Sequence, residues 1–528
     1  MVSPGEDQVP IYPLNEIASK LSEQLKSRGF PCHFVVRAPG RVNLIDGRSR
    51  DNFPSNSPVH FLLSLSPSLA SVRLSSFSRT CIGEHIDYNG YAVLPMALEQ
   101  SVYLAVAVQP TGDSIVLSSS NPECVTSTVS IAEALEFGSH CPPDTVQWFH
   151  YPLCAYHGIA DYVKENQLTC NPPSLVIHVG GAEFGGLWPA AGLSSSSALV
   201  VASAIAIMRA SGLSIGRREL AGLCARCERY IGMQGGGMDQ AASLLGSENS
   251  AVLIEFTKPL VTVHPVPLPS DVVFVIAHSG VHARKAATSM YNERVSECRI
   301  ATRLLIKQSP EPKLNASTRP LCLADAQQAW KLARPGLMLA SEETVGSVAE
   351  RFLKVGIYTR DRLFMDGLMS VYELDLCLTP TTKNMTEFKL RARAEHVYAE
   401  AERTLAFYDL CQPLIAAGDT SLLADLPHKL GELMNQSQES CAKLYECSCP
   451  ALDELVNVCK SAGAIGSRLT GAGWGGCTVS LVPVAGLTQF MHHIRRDYYE
   501  KRGFLNREAD QLMFVSKPGP SAGVMLVD

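Results

Sequence analysis

The chain has no long run of Lys or Arg, and its 45 basic and 51 acidic residues leave a formal net charge of −6. Without a basic stripe there is no electrostatic footprint for a nucleic acid or an anionic lipid surface. Neither is expected as a partner. It also lacks any stretch of about 18 apolar residues, the length a helix needs to cross a bilayer. Its opening, "MVSPGEDQVPIYPLNEIASK", has no basic segment followed by an apolar one, the pattern of a secretory signal. A soluble, cytoplasmic, monomeric protein is the expectation. With 46% hydrophobic and 18% charged residues, the composition is that of a globular enzyme.

Cysteine is present but not organised. The 17 Cys are scattered and odd in number, which suits reduced thiols better than a disulfide scaffold. Cys441, Cys447 and Cys449 cluster in "SCAKLYECSCPALDELV", yet the cluster brings no His and no CxxC pair at zinc spacing. Buried thiols are expected there rather than a metal site.

At 528 residues the chain exceeds the roughly 250–300 at which one core stops growing. Two units are expected, 1–265 and 266–528. "NEIASKLSEQLKSRGF" (15–30) spaces Ile17, Leu21 and Leu25 as an amphipathic helix stopped by Gly29. "HFVVRAP", "SVYLAVAVQP", "SIVLSSSNP", "AVLIEFT", "DVVFVIAHS" and "GCTVSLVPV" read as strands. "SALVVASAIAIMRASG" (197–212) is apolar on every side, a helix buried between layers. Residues 214–232 read as a second core helix capped by Ser214. Helices dominate 286–308 and 385–440, and "LTQFMHHIRRDYYEKR" reads as one more. Residues 310–384 carry no recognisable chemistry. The fold class is α+β in two lobes.

Three short stretches carry chemistry. In "PAAGLSSSSALVV" (189–201), Gly192 opens a small-residue turn into the buried helix. The free N–H groups of a helix start and the hydroxyls of Ser194 to Ser197 suit a phosphate; a serine run before a helix is also an ordinary cap. In "ERYIGMQGGGMDQ" (228–240), glycines that permit close backbone approach precede Asp239, placed in a loop. Such an Asp accepts a hydroxyl proton, holds a cation, or merely caps a helix. "GSRLTGAGWGGCTVSLV" (466–482) packs five glycines into 466–476 ahead of a strand. It is not GxGxxG before a helix, so a dinucleotide site is rejected.

In this order the three resemble the motifs of the galactokinase, homoserine kinase, mevalonate kinase and phosphomevalonate kinase superfamily. "RAPGRVNLI" (37–45) and "GEHIDYNGYAVLPMALEQ" (83–100), if joined, resemble the galactokinase signature almost without change. "KAATSMYNERVSECR", "LGELMNQSQESC" and "YECSCPALDELV" are most similar to the N-acetylgalactosamine kinase branch of that family. The resemblance implies a βαβ sheet-and-helix N-terminal lobe, a ferredoxin-like C-terminal lobe, and transfer of the ATP γ-phosphoryl to a sugar C1 hydroxyl. It implies that Gly192, Leu193 and Ser194, Ser195, Ser196 and Ser197 cradle the triphosphate, with Ser196 and Glu228 on Mg²⁺, a cation that takes oxygen ligands. Asp239 would be the general base and Arg41 the cation beside it, also touching substrate. Glu84, His85, Asp87, Gly236 and Tyr291 would bind the sugar; Trp148 and Asn121 would flank adenine. The leading reading is an ATP-dependent sugar 1-kinase acting on N-acetylgalactosamine, with galactose as a second substrate; the runner-up readings are a galactokinase proper, and an impaired or non-catalytic sensor of the same family.

The signature is interrupted. Between Ile45 and Gly83 stand 37 residues, 46–82, ten of them Ser and none Lys or Glu. They read as sequence retained at an exon junction or a gene-model error; the alternative is a tolerated surface loop. Closing such a loop costs about 3 kcal/mol, so the fold is expected to persist, whereas catalysis is exposed to any displacement of the two halves.

Overall fold

Seven strands form the larger sheet of the computed structural model, in the order Ile11–Tyr12, Gly523–Leu526, Phe34–Asn43, Pro95–Gln109, Ser174–Gly180, Ser114–Ser119, Ser127–Ser130. The structure describes residues 7–44, 85–137, 146–189, 191–257, 259–282, 289–309, 313, 320–332, 345–416, 425–504 and 506–527. The serine-rich interruption 46–82 and Glu84 lie outside the described residues.

Phe34–Asn43 is buried along its whole length and pairs antiparallel with Pro95–Gln109, from Phe34 opposite Val106 to Asn43 opposite Pro95. The register shifts between Pro39 and Arg41. Such irregularities re-aim the side chain that follows, and Arg41 reaches the cleft described below. Gly40 sits inside the shift, where a Cβ would lie 2.5 Å from the Leu193 carbonyl oxygen. The strand can pass the small-residue turn only because that position has no side chain.

The second sheet is antiparallel, in the order Gly466–Leu469, Cys477–Pro483, Val272–His278, Met513–Ser516. After it the chain returns to the first sheet, where Gly523–Leu526 pairs antiparallel with Phe34–Asn43. The class is α+β.

The apolar run after the serines forms the helix Ser195–Ala210, buried from Ser197 to Met208. It packs on Phe34–Asn43, Pro95–Gln109 and the helix His150–Glu165. Each fully buried Leu, Val or Ile of that helix contributes roughly 1.5–3 kcal/mol, which anchors the helix start where the serines stand. The helix expected over 214–232 is shorter. It spans Arg217–Cys227 and continues as a 3₁₀ turn, Glu228–Ile231. Ser214 does not cap it, because its hydroxyl donates to Gln8. The N–H groups of Arg217 and Arg218 go instead to the carbonyl and carboxylate of Asp7, so a distant segment closes the helix end.

The stretch 385–440 resolves into two long helices, Leu390–Cys411 and Leu426–Ser440, with a single turn, Pro413–Ala416, after the first, and 286–308 into Met290–Lys307. The expected helix over 487–502 is regular only for Leu487–Ile494, then widens to a π-type turn, Arg495–Tyr499. Tyr498 and Tyr499 there reach the carbonyls of Ser279 and His278. Within 310–384, the described residues include the helices Leu323–Leu332 and Val345–Phe352 and the strand Tyr358–Thr359, which pairs with Glu387–Phe388 beyond that stretch. Cys441 and Cys447 are buried and Cys449 partly so. No helix among the described residues is long and apolar enough to cross a membrane.

Candidate active site

A single cleft gathers residues from all the informative stretches. It is lined by Arg41, His85, Asp87, Ser196, Ser197, Glu228, Asp239 and Tyr291, with about 600 Å³ of empty space opening to solvent. Tyr151, Met233, Gln240 and Ala472 line it too and were not expected from sequence. Glu84 lies outside the described residues.

Asp239 is not in a loop. It occupies the first turn of the helix Met238–Leu245, whose N-cap is Gly237. Gly237 has no side chain to cap that start and takes φ +109°, a conformation that favours glycine. One oxygen of Asp239 accepts from Arg41 Nε at 2.8 Å and lies 2.7 Å from Nη2; the other accepts from Ser197 Oγ at 3.3 Å. Arg41 is 1% exposed, and its Nη1 donates to the Gly192 carbonyl at 3.2 Å. The guanidinium thus joins the carboxylate to the small-residue turn.

Asp87 faces the same space. Its Oδ2 accepts from the backbone N–H of Gly236 at 3.0 Å and of Met238 at 3.3 Å, and Oδ1 from Tyr88 N–H at 2.9 Å. A Cβ on Gly236 would lie 2.3 Å from the Asp87 carbonyl carbon, so only glycine permits this approach. Burial, and next the Asp239 carboxylate, push the Asp87 carboxyl above its ordinary pKa, against the backbone N–H bonds that lower it.

Next to the Arg41–Asp239 pair, Gly192 takes φ +74° and Ser194, the N-cap of Ser195–Ala210, the left-handed φ of 59°. Turns that alternate right- and left-handed residues form a concavity of N–H groups. The Ser194 hydroxyl is 6% exposed and makes no hydrogen bond among the described residues. A buried orphan donor at a helix start suits an incoming anion. Leu193 contributes its carbonyl, which accepts from Arg41 N–H. Glu228 is held by Gln240, whose amide donates to Oε1 at 2.6 Å. Carboxylate and hydroxyl oxygens of Glu228 and Ser196 in one cleft match what a hard divalent cation takes.

Trp148 and Asn121 are not among the cleft residues. Trp148, in the turn before the helix His150–Glu165, donates from Nε1 to the Val125 carbonyl at 3.0 Å, which ties it to the loop where the Asn121 side chain accepts from Glu123 N–H. The aromatic residues around His85 were missed as well. Tyr88, Tyr445 and Trp474 surround it, and each stood inside a stretch that could have flagged it.

Comparison with known proteins bears on the same stretches. Family models match the GHMP kinases N terminal domain at residues 160–247, the GHMP kinases C terminal at 422–488, and the galactokinase galactose-binding signature at 80–108. The chain is 34% identical over 512 residues to a galactokinase of Dictyostelium discoideum, covering 94% of this chain and 88% of that one. The chain belongs to the galactokinase family. It is a phosphotransferase with an alcohol group as acceptor. A galactokinase of Saccharomyces cerevisiae is 30% identical over 524 residues, covering 92% of this chain and 90% of the relative. In fold, the structure is similar to Lactococcus lactis galactokinase complexed with galactose, at TM-score 0.61 and 21% identity over 96% of this chain and 98% of that one.

Proposed function

We propose that this member of the galactokinase family transfers the γ-phosphoryl of ATP to the C1 hydroxyl of galactose. The observation that carries it is the meeting of Arg41, Asp87 and Asp239 in one cleft beside the Gly192–Ser197 turn. Phosphoryl transfer asks mainly for positioning and charge stabilisation, and those groups supply both. Asp87, rigidly oriented by three backbone N–H groups, accepts from sugar hydroxyls, with Tyr291, Gly236 and Glu84 completing the sugar side. Asp239 takes the C1 hydroxyl proton as that oxygen bonds to phosphorus and ADP leaves. Arg41 steadies both Asp239 and the developing charge. Gly192, Leu193 and Ser194 to Ser197 receive the triphosphate. Ser196 and Glu228 would hold Mg²⁺, which neutralises phosphate charge when bound, and Gln240 fixes Glu228 for it. Trp148 and Asn121 would flank adenine at the edge.

A second substrate, N-acetylgalactosamine, is favoured by the three stretches 285–299, 430–441 and 445–456, whose residues are most similar to the N-acetylgalactosamine kinase branch. Galactose stands first because the relatives at 34% and 30% identity are galactokinases. The two lobes are proposed to divide near 265, with the protein a cytoplasmic monomer and 46–82 an insertion into the signature. Competing both sugars in one ATP-dependent assay, with sugar 1-phosphate as the readout, tests the reading. No phosphorylation of either sugar by the full chain would favour the non-catalytic sensor.

A further inference from the structure

His85 is held from both sides by protein. Its Nε2 lies 2.9 Å from the Ala472 carbonyl oxygen in the glycine-rich loop. A carbonyl only accepts, so Nε2 carries a proton. In the neutral ring Nδ1 then accepts from Tyr88 Oη at 3.1 Å, and Tyr88 Oη is 2.6 Å from Tyr445 Oη. The ring is 4% exposed and walled by Tyr445, Tyr291 and Trp474 at centroid distances of 4.9, 5.3 and 5.7 Å. Its backbone takes φ +63°, a conformation costly for a non-glycine residue unless the surroundings impose it.

The same loop grips the other side of the interruption. Thr470 Oγ1 accepts from the backbone N–H of Asn43 at 3.0 Å. Asn43 precedes the serine-rich stretch and His85 follows it, yet they are bonded to Thr470 and Ala472, two residues apart in one loop. The loop in turn rests on the phosphate side: a Cβ on Gly471 would lie 2.2 Å from the Gly192 carbonyl oxygen.

We infer that the Thr470–Ala472 segment is a staple that holds the two halves of the divided signature in register, and that His85 is a positioning residue rather than a sugar ligand. The inference rests on the kinase reading for its consequence in catalysis, and on geometry alone for the staple. The substitutions H85Q and H85N separate the roles. Gln places a donor where Nε2 stands and reaches Ala472; Asn occupies the Nδ1 position and falls short. The expected result is that H85Q stays within about threefold of the parent in kcat/KM, while H85N and H85A lose about 10²-fold, the cost of a shift near 1 Å. The loss is expected in the KM for ATP and in kcat as well as in the KM for galactose, because the loop touches both walls.

Amide hydrogen exchange of 470–476 in the unliganded full chain gives a readout independent of activity. It is expected to quicken at least tenfold in H85A and H85N and not in H85Q. If H85A does not fold, T470V, which removes the acceptor for Asn43, carries the same test. Unchanged exchange in H85A, or a rise in galactose KM alone, would overturn the staple. Quickened exchange in a chain that phosphorylates neither sugar would uphold the staple and count against the kinase reading.

Discussion

Arg41 and Asp239, 198 residues apart in sequence, form an ion pair in which two guanidinium nitrogens converge on one carboxylate oxygen, at 2.7 and 2.8 Å. That geometry leaves the other oxygen turned toward Ser197 and the cleft. D239N keeps the shape and removes the base, so kcat is expected to fall about 10²–10⁴-fold. Sugar affinity should change little. Steady-state kinetics with calorimetric binding checks it; a fall confined to KM would mean Asp239 binds rather than reacts.

R41K tests the fork. An ammonium carries the charge but cannot place two donors on Asp239 while a third reaches Gly192. A loss of at least tenfold in kcat is expected, with the folded state retained. Wild-type rates in R41K would show that charge alone suffices.

These two residues also show what the sequence could and could not convey. The small-residue turn, the Gly-rich stretch before Asp239 and the halves of the signature were legible because glycine and serine runs have a local backbone meaning that needs no neighbour. The helix start at Arg217 was not, since its cap comes from Asp7, more than two hundred residues away. The aromatic cage of His85 was hidden for the same reason: Tyr445 closes a π-type turn, Cys441–Tyr445, whose packing decides where it points. Residues 310–384 stayed unread because their helices are short and their burial is set by the long helices they lie against.

Gly236 supplies a prediction that separates sugar from nucleotide. G236A would force a methyl against the Asp87 backbone, where the Cβ position lies 2.3 Å from a carbonyl carbon and 2.4 Å from Tyr88 N. The galactose KM is expected to rise tenfold or more while the KM for ATP holds. Equal changes in both would place the damage in the fold.

Asp87 sets an acid limb. Its pKa is raised by burial and by Asp239, so on acidification it takes up a proton at higher pH than an ordinary carboxylate. The ionised form that accepts from the sugar is then lost early. Galactose Kd measured against pH is expected to weaken while ordinary carboxylates, with pKa about 4, remain ionised. A Kd unchanged down to about pH 4 would remove Asp87 from the sugar site.

Glu400, fully buried on the helix Leu390–Cys411, tests the interior around that helix. Burial lifts its pKa to about 7, against Arg403 and Arg468 at 3.4 and 3.7 Å and the Ser437 hydroxyl at 3.0 Å. Unfolded, the carboxyl titrates near 4.5. Between those values the folded state holds the proton more tightly, so this group's contribution to stability falls as pH rises and levels off above about 7. E400Q lacks the titration. Whatever its absolute stability beside the two arginines, the difference between E400Q and the parent should shift in favour of E400Q by about 3 kcal/mol from pH 4.5 to pH 7. Denaturant unfolding of both proteins at the two pH values measures that shift directly. Parallel curves would mean that the arginines keep Glu400 ionised throughout, and that its burial is fully compensated.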